Sequence, residues 1–87
     1  MTNAEKRHLE RVAALPCALC GDIPVSVHHI RSGQGMAQRA SHWLTIPLCP
    51  SCHQGPHGIH GDRAMLRIAK ATELDLLADT LRRLRDA

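Results

Sequence analysis

Two Cys-x-x-Cys pairs, Cys17/Cys20 and Cys49/Cys52, restrict what this chain can fold into more than any other feature. Four thiolates can form a tetrahedron around one Zn²⁺, the geometry of closed structural sites. Such an ion would tie together two points distant in sequence. In a reducing compartment paired spacing of this kind points to metal rather than to disulfides; four free buried thiols or a redox dithiol is the alternative. The rest of the chain needs such a tie. Eighty-seven residues bury a smaller fraction of their surface than a larger domain would, and one Trp with no Phe or Tyr leaves an aliphatic core. A single domain over residues 1–87 is expected, with its ligand-rich core at about residues 17–63.

Around this core the pattern predicts helices at both ends. Thr2-Asn3-Ala4-Glu5 reads as a capping box, and Leu9, Val12 and Ala13 follow at helical spacing, so a helix is expected over about 3–14, stopped by Pro16. Gly21 after the second cysteine lets the backbone curl its amides toward thiolate sulfur. Residues 23–30 (IPVSVHHI) and 43–48 (WLTIPL) read as two short strands, separated by a polar loop carrying Gly33 and Gly35. After the second knuckle Gly55, Pro56, Gly58 and Gly61 interrupt any long helix until Asp62, a candidate N-cap. Helix is expected over about 63–85, as one bent helix or as two with a fresh cap at Thr72. Leu74, Leu77, Leu81 and Leu84 form its apolar stripe, as core or as an oligomerisation face. The fold class is therefore small α+β.

Six of the seven histidines lie between His28 and His60. His28 and His29 are neighbours on the first strand, so their rings face opposite sides, and one can bind a metal while the other faces a substrate. His53 and His57 are four apart, a spacing that puts both on one side of a helical turn. Three imidazoles such as His28, His53 and His57 would hold a cation and leave positions open for water and a phosphate oxygen, as a catalytic site requires. His42 and His60 are second-tier candidates, and His8 is expected at the surface of the first helix. Arg31, Arg39 and Arg63 flank the cluster and suit phosphate contact. A formal charge of +3 permits nucleic-acid binding. With no run apolar enough to span a bilayer and no secretory signal, no membrane role is expected.

The combination His28-His29-Ile30, a glycine loop, and Ile46-Pro47-Leu48-Cys49-Pro50-Ser51-Cys52-His53 resembles the HNH (ββα-metal) endonuclease signature. Within that group the stretch GQGMAQRASHWLTIPLC and the following GIHGDR resemble the phage RecA-dependent nucleases. The resemblance implies a ββα-metal finger beside the zinc knuckle, acting as a metal-dependent DNA endonuclease of little sequence specificity. It implies His28 as a metal ligand, His29 as general base, and His53 and His57 as ligands of a catalytic Mg²⁺, Mn²⁺, Ni²⁺ or Zn²⁺. It also implies DNA as partner, a recombinase filament as a further candidate partner, and a bacterial or phage-encoded cytoplasmic protein. The family's usual asparagine has no evident counterpart here. His42 lies nearby, and a backbone carbonyl is a candidate for orienting His29. A non-catalytic zinc-ribbon module binding nucleic acid or protein is the alternative from another class.

Overall fold

A computed structural model of the chain describes residues 1–30 and 40–86; Arg31 and Arg39, and with them Gly33 and Gly35, lie outside the described residues. The element order is α1 (Asn3–Ala13), β1 (Ser26–His29), β2 (Thr45–Leu48), α2 (Pro50–Gln54), α3 (Ala64–Ala69) and α4 (Glu73–Asp86). This is a small α+β arrangement, a two-stranded antiparallel sheet with helices at both ends.

The capping box at the start of α1 is complete. The Thr2 hydroxyl accepts from the Glu5 amide at 3.1 Å, and the Glu5 carboxylate accepts from the Thr2 amide at 2.8 Å. α1 packs on both strands and on α4, with Val12 fully buried. His8 is buried rather than at the surface. Its ring lies 4.9 Å, centroid to centroid, from that of Trp43.

The strands are shorter than the sequence runs, four residues each, in the register Ser26↔Leu48, Val27↔Pro47, His28↔Ile46 and His29↔Thr45. Pro47 is tolerated inside β2 because its carbonyl faces away from β1, accepting from the Ala18 amide at 2.9 Å, and its nitrogen faces the same way. That contact lays the first cysteine knuckle along the free edge of β2.

The C-terminal region is two helices. Lys70 adopts a left-handed conformation that ends α3, and Thr72 caps α4, its hydroxyl accepting from the Asp75 amide at 3.2 Å. The buried face of α4 is Leu76, Leu77, Thr80 and Leu84, whereas Leu74 and Leu81 are 59% and 45% exposed. The expected stripe is thus rotated. Thr80 can be buried because its hydroxyl donates to the Leu76 carbonyl at 2.8 Å. Arg11 reaches across to donate to the Leu84 carbonyl at 2.6 Å, joining the two ends of the chain.

Candidate functional site

The four cysteines come together. Cys17 and Cys20 flank a turn in which the Gly21 amide donates to the Cys17 carbonyl, with Gly21 at a φ of 80° that favours glycine. Cys49 caps α2 and Cys52 lies within it, Pro50 occupying the first helical position where a missing amide costs nothing. The four sulfurs lie within 4.8 Å of one another. Burial acts to raise the Cys17 thiol, but amides of Cys49, Cys20 and Leu19 turned toward its sulfur outweigh it and bring the thiol down to about 7. Burial pushes Cys20 up to about 11 and Cys52 up as well. Thiols this close ionise at one another's expense unless a cation neutralises them, and four soft thiolates in a tetrahedron suit Zn²⁺.

One residue beyond Cys52, His53 begins a second cluster, of His28, His53 and His60. His28 Nδ1 lies 3.2 Å from His53 Nε2, and His60 Nε2 lies 3.0 Å from the same atom. Two nitrogens bound to one ion at about 2.1 Å stand about 3.0 Å apart at right angles and about 3.4 Å apart at the tetrahedral angle. The two separations fall in that range. The remaining nitrogen of His53 is occupied. Ser26 Oγ lies 2.9 Å from His53 Nδ1 and donates its own proton toward the Leu48 carbonyl at 3.4 Å. A hydroxyl used that way accepts from Nδ1–H, which leaves the Nε2 lone pair free. Burial, reinforced by the neighbouring His60, holds His53 below the usual imidazole range. Burial does the same to His28, against the opposing effect of Glu73. Both rings are therefore neutral lone-pair donors at neutral pH.

His60 reaches this cluster because the chain turns back on α2. The Ile59 amide donates to the Cys52 carbonyl at 2.8 Å and the His60 amide to the His53 carbonyl at 3.0 Å. Gly58 makes the return possible, since a Cβ there would sit 2.5 Å from the Cys52 carbonyl oxygen. His57 is not brought to the cluster. It is 68% exposed, with its Nδ1 3.1 Å from Asp62 Oδ2. The i, i+4 spacing that pairs it with His53 presumes a continuing helix, and α2 ends at Gln54.

His29 faces the other side of β1, its Nε2 3.0 Å from His42 Nδ1. Among the described residues, the group at hydrogen-bond distance from the His29 ring is the His42 side chain. Burial and then the nearby His42 lower its proton affinity. Arg63, half exposed, donates from Nη2 to Glu73 Oε1 at 2.7 Å. Two residues next to the histidines, Ser26 and Glu73, carry no motif signal. Only the register, with Ser26 two residues before His28 on the same face of β1, could have suggested the first.

No described helix is long and apolar enough to cross a membrane. No curated protein and no solved structure matches the chain. A family model described as "Recombination enhancement, RecA-dependent nuclease" matches residues 1–73, a span containing all four cysteines and all seven histidines. The chain belongs to this family of RecA-dependent, recombination-enhancing nucleases.

Proposed function

We propose that this chain is an HNH-type, metal-dependent endonuclease hydrolysing DNA phosphodiester bonds. A structural Zn²⁺ on Cys17, Cys20, Cys49 and Cys52 would hold the fold, and His28, His53 and His60 would hold a catalytic divalent cation. The observation that supports this best is the approach of three imidazole nitrogens to 3.0–3.2 Å, with the far side of His53 fixed by Ser26. Three imidazoles suit Zn²⁺ or Ni²⁺ better than Mg²⁺, which prefers oxygen.

A cation there supplies Lewis-acid stabilisation of charge developing on the phosphate and leaving oxygen. The chain's own residues do the rest. His29, neutral because burial lowers its proton affinity, takes a proton from the attacking water, and His42 holds the ring in place. Because His28 and His29 face opposite sides of β1, the phosphodiester lies across the end of that strand. Lewis-acid and general-base chemistry at a phosphate needs no reading of base edges, so little sequence specificity is expected.

The test is nicking of supercoiled and single-stranded DNA by the purified protein with added Ni²⁺, Zn²⁺, Mn²⁺ or Mg²⁺, with and without a RecA filament. Metal-dependent nicking is expected. His29→Ala should lower it about 10²–10⁴-fold with zinc content unchanged. Undiminished nicking by that variant removes His29 from the base role. One tightly held zinc with no cleavage under any condition favours a non-catalytic zinc module instead.

A further inference from the structure

Among the described residues, three buried side-chain atoms have no hydrogen-bond partner: His8 Nε2, His28 Nε2 and Glu73 Oε2. Two of the three face each other. His28 Nε2 and Glu73 Oε2 are 3.5 Å apart, at the floor of the histidine cluster, with the two side chains only 6% and 13% exposed. A carboxylate seldom accepts this degree of burial without a purpose. Its other oxygen, Oε1, accepts from Arg63 Nη2 at 2.7 Å, which fixes the plane of the carboxylate.

The atoms facing each way decide what this arrangement does. His28 turns Nδ1 toward His53 Nε2 and Nε2 toward Glu73. A neutral imidazole carries one proton, so the ring can offer its Nδ1 lone pair only when the proton sits on Nε2. An acidic oxygen opposite Nε2 selects that tautomer. We infer that Glu73 is a positioning residue that holds His28 as the Nε2–H tautomer with Nδ1 free for a divalent cation, and that Arg63 acts through Glu73 rather than on a DNA phosphate.

The inference rests on the cation centre proposed above. It gives His28 a counterpart of what Ser26 gives His53: in each case a polar group from outside the cluster stands opposite the outer nitrogen, at 2.9 Å for Ser26 and 3.5 Å for Glu73, and favours a free inner one. It also gives the start of α4 a part in the site. Glu73 is the first residue of that helix, which the Thr72–Asp75 cap sets in place, and Arg63 comes from the residue just before α3.

Two measurements on the full chain carrying its cysteine-bound zinc test this. The first is imidazole nitrogen NMR, which reads the His28 tautomer directly and needs no second metal. Wild type should show His28 protonated at Nε2, and Glu73→Ala should lose that preference; His28 protonated at Nδ1 in wild type overturns the inference. The second is calorimetric titration with Ni²⁺. Wild type should take one further equivalent, Glu73→Ala should bind it about 10–100-fold more weakly, and Glu73→Gln, with one amide oxygen to share between Arg63 and His28, should fall between the two. Wild-type affinity in Glu73→Ala overturns the inference. If wild type takes no further equivalent, the cation centre itself fails, while the tautomer measurement still decides whether Glu73 positions His28.

Discussion

The Nε2 atoms of His53 and His60 stand 3.0 Å apart because a glycine lets the backbone come back over the helix that carries His53. The separable contribution of each histidine follows from that. His60→Ala should weaken binding of a second divalent ion by about 10–100-fold, because the loss of a ligand matters at least as much as loss of an outer partner. His57→Ala should leave binding unchanged, since that ring is exposed and directed at Asp62; titration of both variants with Ni²⁺ checks the pair. Spacing alone could not separate them. The glycines and Pro56 that end α2 are visible in the sequence, but which later histidine the returning chain presents depends on amide-to-carbonyl pairing that no periodicity encodes. His8 poses a different residue-scale question. Burial against Trp43 holds its pKa below the ordinary value of 6.5, with a backbone hydrogen bond at Trp43 opposing the shift. The folded state therefore binds fewer protons than the unfolded chain at mildly acidic pH. Its contribution to stability is complete above about pH 6.5 and is lost as pH falls toward the depressed folded value. Urea midpoints at pH 7.5 and 5.5 should show a smaller acid-induced drop in His8→Leu than in wild type.

At the level of elements, the capping box, the two knuckles and the strand pair are legible because each depends on neighbours in sequence, Thr2 with Glu5 or Cys17 with Cys20, whereas Thr72 is visible as a cap without deciding between one bent helix and two. The orientation of α4 is not legible. Hydropathy selects Leu74, Leu77, Leu81 and Leu84, whereas the face packed toward β2 and α1 contains Leu76 and Thr80 in place of Leu74 and Leu81. A threonine looks polar in a sequence pattern, yet this one satisfies its hydroxyl within the helix and presents a methyl to the core. The difference is measurable. Leu76→Ala should cost about 2–5 kcal/mol, the range for a buried leucine. Leu81→Ala should stay within about 0.5 kcal/mol, as for an exposed position. Equal effects in urea denaturation would return α4 to the orientation its hydropathy suggests.

For the whole molecule, the geometry makes one centre depend on the other. The cysteine cluster joins the turn before β1 to the helix after β2, closing the ends of the strand pair that carries His28. His53 follows Cys52 on α2, and the segment bearing His60 hangs from the Cys52 and His53 carbonyls. The histidine cluster is thus assembled on a scaffold the cysteines hold. Structural zinc in small domains is worth about 10–16 kcal/mol of apparent binding free energy, comparable to the whole net stability of about 5–15 kcal/mol typical of a folded protein. Stripping zinc with a strong chelator, or replacing Cys49 by Ser, should therefore abolish cooperative thermal unfolding and second-ion binding together. The dependence should run one way. His53→Ala, which leaves all four sulfurs in place, should lose the second ion and retain one zinc with a cooperative transition. Circular dichroism melts paired with metal analysis on the two variants distinguish this hierarchy from two independent sites, in which loss of the cysteine-bound zinc would leave second-ion binding intact.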